Sequence, residues 1–294
     1  ATSGVEVEVR YAKSAELAGT IVLEGAISPA DIFFSQDPIS LGVVAKEGLF
    51  ETLPNDILVS VPSWASDKKG YWVGTSGRSR SLVIDTRDVT PEELPNDIYG
   101  LADEKFRSRL GLAPTNSSFI AMVSCMIELD GEEKVLDWLS SINSLDYTEY
   151  PKNSPQVAAA DSGELDIGMV NHYYTLRLLA ENGDSSIKNV YLDSGCGAMV
   201  MPAGVGILSS SQNKTAAMAF IEFLHSKSVQ ETFTNSLYEF PLVKGIEPND
   251  LLPNLENLNS PLNLNWSALA IWQEKAVESV SYTHLRAHET VLDL

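Results

Sequence analysis

Leu165-Asp166-Ile167-Gly168-Met169-Val170-Asn171-His172-Tyr173-Tyr174, continued by Thr175-Leu176-Arg177-Leu178-Leu179-Ala180-Glu181, decides how this chain is read. Its first part is a short apolar run of strand length, and its second has the periodicity of a helix. A strand that passes directly into a helix is the repeating step of an α/β fold. The two adjacent tyrosines stand where one becomes the other. A phenol is neutral near pH 7, but a highly charged cation can strip the proton from a coordinating group, and a hard phenolate oxygen suits ferric iron. Tyr173 and Tyr174 are therefore candidate metal ligands. Tyrosines at a strand end also serve as ordinary rim packing, and the pair alone leaves both readings open.

Working outward, the same alternation recurs. Residues 5–11 alternate apolar and polar like a strand, and 14–24 read as a helix capped by Ser14, with Leu17, Ala18, Ile21 and Val22 on one face. A buried strand at 31–34 and a helix at 40–46, stopped by Gly48, complete a βαβ pattern that predicts parallel sheet. Residues 71–74 and 81–85 read as two strands separated by the polar stretch Thr75-Ser76-Gly77-Arg78-Ser79-Arg80, and 91–109 as a connection holding a short helix. A second alternating block follows, with the run Leu110-Gly111-Leu112-Ala113, helices at 117–128 and 132–142, and the strand and helix around the tyrosines. Residues 204–208 form a strand leading to a helix at 215–225, whose apolar stripe is Ala217, Phe220, Ile221 and Leu224; residues 254–279 are asparagine-rich and then helical.

Composition narrows the function. The 294 residues, 44% hydrophobic, can fill one large domain or two lobes. No apolar run approaches the roughly 20 residues that cross a bilayer. With 20 basic against 40 acidic residues, the formal charge of -20 repels phosphate backbones and anionic membranes, so nucleic acid is not expected as a partner. Cys125 and Cys196 are too few for a thiolate cluster and fit either one disulfide or two buried thiols. Both ends read unusually. The chain enters its first strand right after Gly4, a residue that commonly ends a helix, which suggests further structure upstream. From Val280 the sequence matches a translated sequencing adapter and shows neither a helical nor a strand period. It is read as a passenger, which removes His284 and His288 from the site and leaves His172 and His225.

Five stretches together resemble the ferric-iron-binding solute receptors of bacterial ABC transporters, a branch of the two-lobed periplasmic binding proteins. They are Asp31-Ile32-Phe33-Phe34-Ser35-Gln36-Asp37, Trp72-Val73-Gly74-Thr75-Ser76-Gly77-Arg78, Ala113-Pro114-Thr115-Asn116-Ser117-Ser118-Phe119, Asn171-His172-Tyr173-Tyr174 and Tyr238-Glu239-Phe240-Pro241-Leu242, in family order across residues 5–279. The resemblance implies a type II two-lobed α/β fold, each lobe a mixed, mostly parallel sheet flanked by helices, with a cleft between the lobes. Residues 1–85 and 205–255 would form lobe one, lacking its first strand and helix. Residues 86–204 and 256–279 would form lobe two, and 280–294 the tail.

The implied function is capture of ferric iron (Fe3+) with a synergistic anion, phosphate or carbonate, by hinge closure. Delivery to an ABC-type membrane permease would follow. The protein would be a monomer, periplasmic or otherwise extracytoplasmic, with a lipid anchor as an option in the full-length chain. No bond is made or broken, so it would not be an enzyme. Tyr173 and Tyr174 match the family's ligand pair. Gln36 stands where some members carry a glutamate ligand, Phe119 about where others carry a third tyrosine, and a further ligand would lie upstream of Ala1. Thr115, Asn116, Ser117 and Ser118 match the anion-binding turn, at what reads as a helix N-terminus suited to an anion. As a bare sequence signal, without the resemblance, that turn reads first as a simple helix cap. Asn153 and Asn171 match anion-contacting positions, and Arg78 is a candidate for bidentate pairing.

Other signals are weighed beside these. Asp193-Ser194-Gly195-Cys196-Gly197 looks like a nucleophile turn, which makes a hydrolase centred on Ser194 or Cys196 an alternative, although a triad needs a base and an orienting acid. An anion receptor working without iron is a second alternative. Gly204-Val205-Gly206 is a fragment of a dinucleotide fingerprint, better explained by tight backbone packing. His172 is read as a rim residue, and His225 as a cation favoured at the end of its helix.

Overall fold

The computed structural model describes residues 4–183, 185–261 and 264–292. In chain order the elements are α1 (Ser14–Glu24), β1 (Ile32–Ser35), α2 (Pro38–Lys46), α3 (Asn55–Leu58), β2 (Val73–Asp85), β3 (Leu110–Leu112), α4 (Ser117–Asp130), α5 (Glu132–Asn143), β4 (Thr148–Glu149), α6 (Asn153–Ser162), β5 (Ile167–Asn171), α7 (His172–Asn182), β6 (Ile187–Val190), β7 (Val200–Ile207), α8 (Lys214–Leu224), α9 (Lys227–Leu237), β8 (Phe240–Pro241) and α10 (Trp266–Leu292). The chain divides into two compact units. Unit 1 is Ala1–Gly77, Met201–Leu252 and Asn265–Ala270; unit 2 is Arg78–Val200, Pro253–Leu264 and Ile271–Leu294. The first crossover between the units thus lies inside β2.

In unit 1, β1 pairs antiparallel with β7 from Ile32↔Ile207 to Ser35↔Gly204, and the start of β2 pairs with β8 at Ser76↔Pro241 and Gly77↔Phe240. The two glycines of Gly204-Val205-Gly206 are packing residues. A Cβ on Gly204 would lie 2.9 Å from Leu41 Cδ1 and from the Val73 carbonyl, and one on Gly206 would lie 2.6 Å from the Phe50 ring. Helix α2 starts as its sequence dictates: Asp37 Oδ1 accepts from Ser40 N at 2.7 Å, with Pro38 in the first turn. Its Ile39, Leu41 and Val44 are buried.

Two expectations fail in unit 1. Residues 5–11 form no strand, and Val7, Val9 and Tyr11 are exposed. Alternation supplies a face but not a ladder partner, and a strand needs both. Ser14 is the first residue of α1 and not its cap; the N-cap is Lys13, without a side-chain bond, while Ser14 Oγ accepts from Gln36 N at 3.1 Å.

In unit 2, the end of β2 lies between β5 and β6, antiparallel to both, with Arg80↔Asn171 as the first rung of the β2–β5 ladder. Strand β3 pairs parallel with β5 and with β4. The sheet is mixed, as expected, but the described pairings around β2 make it more antiparallel than parallel. Strand β2 carries residues of both units without a break, and β5, β6 and β8 all pair with it in the opposite sense.

The 13 residues of β2 are buried throughout, where the sequence predicts two strands and a polar loop. Each polar side chain in it has been given a partner. Thr75 Oγ1 donates to the Ala203 carbonyl, Ser76 Oγ to Glu239 at 2.5 Å, and Ser79 Oγ to the Arg80 carbonyl. A disulfide joins Cys125 of α4 to Cys196, which decides the open cysteine question. Helix α10 keeps a helical backbone through Val280 to Leu292, where no helical period was legible; the side chains of His284 and His288 lie outside the described residues.

Candidate metal centre

Strand β5 ends at Asn171 and α7 begins at His172, so the tyrosine pair occupies the first turn of a helix. The rings of Tyr173 and Tyr174 have centroids 4.4 Å apart and planes inclined by 33°. Tyr173 is buried, and Tyr174 packs on the cluster of Val83, Val157, Ala160, Val170 and Ile187. Both rings are therefore fixed by the core of unit 2. Burial, reinforced by the neighbouring Tyr173 phenol, pushes the Tyr174 hydroxyl up, while the Arg78 and Arg177 guanidiniums pull it the other way. Arg78 Cζ stands 5.6 Å from the Tyr173 ring centroid and Arg177 Cζ 4.8 Å, within cation–π range.

Behind the tyrosines lies a cation that the sequence reading did not single out. Arg80 is 1% exposed. Its Nη1 donates to Asn171 Oδ1 at 2.9 Å and to Ser118 Oγ at 3.2 Å, and its Nη2 donates to the Met169 carbonyl at 3.2 Å. All three acceptors are neutral. Burial pulls its pKa down to about 10, with the Tyr173 and Tyr174 phenols opposing. Arg80 thereby joins the Asn116–Ser118 turn to Asn171. Reading β2 through its polar stretch exposes the signal, because Arg78 and Arg80 are two apart and so share a face of one strand. Arg177 was legible as well, one turn beyond Tyr173 at i+4.

The expected anion residues fall as follows. Asn116 is the N-cap of α4, its Oδ1 accepting from Ser118 N at 3.0 Å and from Ser118 Oγ at 2.6 Å. Thr115 and Ser117 are exposed, and Ser118 is buried against Arg80. Asn153 is buried as the first residue of α6. Asn171 is the N-cap of α7, with no side-chain capping bond. Unit 2 thus brings together Tyr173, Tyr174, Asn171, Arg78, Ser118 and Asn116 through Arg80. Gln36 belongs to unit 1, exposed at the end of β1. Phe119 is buried against Trp138.

Several readings are corrected. His172 is not on a rim but 0% exposed, with Nδ1 3.1 Å from Ser79 N. His225 is the half-buried C-cap of α8, with Nδ1 3.0 Å from Ser60 Oγ. Burial pulls its pKa down to about 4, against a hydrogen bond to the Gly74 backbone, so it is neutral and no partner for the helix dipole. Cys196 is tied up in the disulfide and offers no thiolate nucleophile. Among the described residues no three of His, Cys, Asp and Glu gather into a metal site. Metal chemistry in unit 2 would therefore rest on the phenols.

Two α/β units, one of them presenting paired phenols flanked by arginines where β5 passes into α7, have the build of a solute-binding protein. The chain belongs to the bacterial extracellular solute-binding protein family, whose pattern matches residues 28–270. It is 34% identical over 267 residues to the major ferric iron-binding protein of Neisseria meningitidis serogroup B, covering 88% of this chain and 80% of that one. It is 32% identical over 263 residues to the Fe(3+)-binding periplasmic protein of Serratia marcescens, covering 88% and 78%. Among solved structures, iron-bound HitA from Pseudomonas aeruginosa superposes with a TM-score of 0.88 at 28% identity, covering 95% of this chain and 91% of that one.

Proposed function

We propose that this chain captures ferric iron outside the cytoplasm, with Tyr173 and Tyr174 as phenolate ligands and an anion beside them, for delivery to an ABC-type permease. The observation that carries the reading is the tyrosine pair itself, two rings 4.4 Å apart at the start of α7 and flanked by arginines. A trivalent cation can displace both phenolic protons and gain two hard anionic oxygens. The names of the relatives support the cargo. The disulfide supports an oxidising compartment. Arg80, buried among neutral acceptors, supports the anion: phosphate or carbonate near Ser118 and Asn171 would supply a countercharge that its three hydrogen-bond acceptors do not carry. Adding ferric nitrilotriacetate to the protein should produce a visible phenolate-to-iron band and consume one equivalent. The absence of any band would exclude tyrosine ligation.

The same arginine favours a second reading, an anion receptor that needs no iron. Calorimetry with phosphate or carbonate alone separates the two, since submicromolar anion binding without iron and no band with it would favour the second.

A further inference from the structure

The β2–β5 ladder begins at Arg80↔Asn171, so the next antiparallel rung would pair Ser79 with His172. At His172 the backbone has already turned into α7 and can no longer supply that rung. The side chain supplies it instead: Nδ1 of His172 stands 3.1 Å from the Ser79 amide nitrogen, which donates to it, and 3.3 Å from the Ser79 carbonyl. On the other side, Asn189 Nδ2 of β6 donates to the His172 carbonyl at 2.8 Å, and Ser81 Oγ of β2 donates to Asn189 Oδ1 at 3.2 Å. The imidazole meets the Tyr173 ring edge to face at 5.7 Å and the Tyr191 ring at 6.3 Å. His172 is thus pinned to β2 by its ring and to β6 by its carbonyl, one residue ahead of the first phenol. Ser79, its anchor on β2, lies between Arg78 and Arg80.

We infer that His172 is the positioning residue of the tyrosine pair, its imidazole standing in for a missing backbone rung and setting where the first turn of α7, and with it the Tyr173 ring, lies against Arg78 and Arg80. The role bears on iron through the proposed function, but the geometry rests on the protein's own contacts. Removing the ring nitrogen leaves a buried amide without an acceptor and frees the turn; a shift of about 1 Å in a ligand-bearing turn is enough to spoil a site. Asparagine offers a carboxamide near the Nδ1 position that can accept or donate, whereas phenylalanine keeps the volume and ring contact but offers neither.

The test compares wild type, His172→Asn and His172→Phe in two states. In the metal-free proteins, the Tyr173 ring and Ser79 amide resonances should move in His172→Phe and return toward wild type in His172→Asn, with cooperative unfolding retained in both. With ferric nitrilotriacetate, His172→Phe should shift the visible band and weaken iron binding at least about tenfold, with recovery in His172→Asn. Unmoved Tyr173 and Ser79 resonances in His172→Phe would overturn the inference whatever iron does. If His172→Phe does not fold, His172→Asn still decides: wild-type resonances there support the hydrogen-bonding role, and displaced ones contradict it. If the variants' resonances respond as described but the wild-type protein takes no iron, the iron reading alone would fail.

Discussion

Helices α4 and α7 both start from an asparagine at the N-cap, and the two asparagines do different work. Asn116 turns its Oδ1 inward to cap α4 through Ser118 N and Oγ. Asn171 makes no capping bond, and its Oδ1 accepts from Arg80. One residue type in one position thus serves helix stability in the first case and holds a buried cation in the second. What differs is the neighbour on β2: Arg80 reaches Asn171 at 2.9 Å and meets the α4 turn only through Ser118. A helix start is also where an anion is favoured by the backbone amides and the helix dipole.

The largest effect expected from this comparison falls on the phenols at the α7 start. Tyr173→Phe with Tyr174→Phe should leave no ferric binding at all, and each single change should weaken it at least about tenfold, ~1.4 kcal/mol. Titration with competing chelator checks this.

Next is a helix end where, as at Asn171, the surroundings override the expected part. His225, held near pKa 4 by burial, binds its proton more weakly folded than unfolded, where 6.5 is usual. Between pH 6.5 and 4 the unfolded chain therefore carries more protons. Its contribution to stability is full above 6.5 and is lost as the pH falls toward 4, by roughly 3 kcal/mol. Urea unfolding at several pH values should show a steeper acid loss in wild type than in His225→Asn.

Arg80→Met comes third. It strands the Asn171 and Met169 oxygens and should cost about 1–3 kcal/mol. It should also remove any dependence of iron affinity on phosphate or carbonate, whereas an unchanged dependence would place the anion elsewhere. The smallest effect sharpens the contrast itself. Asn116→Ala should lower stability by about 1 kcal/mol, the usual worth of a cap. Asn171→Ala should lose no capping bond but weaken the linkage between anion and iron. Equal stability losses with no change in that linkage would erase the distinction.

Much of the fold was legible where local signals agree. Helix α2, expected at 40–46, runs from Pro38 to Lys46; its Asp37 cap and the Pro38 in its first turn are local signals that place the true start two residues earlier. Strand β2 was not legible, because Thr75, Ser76, Ser79 and Arg80 look like loop residues until distant partners such as Ala203, Glu239 and Asn171 satisfy them. Residues 5–11 show the converse, perfect alternation without a ladder. At the site, tyrosines and asparagines could be named from the chain, since resemblance acts on adjacent residues. Arg80 and the place of His172 depend on strand register, which the sequence does not print.

The most direct test of phenolate ligation is resonance Raman spectroscopy of the ferric-loaded protein, excited within its visible band. Enhanced tyrosinate ring modes are expected in wild type, reduced in Tyr173→Phe and in Tyr174→Phe, and absent when both are changed. Iron bound tightly in wild type without those modes, or the same modes surviving in the double variant, would contradict the assignment of Tyr173 and Tyr174 as the ligands.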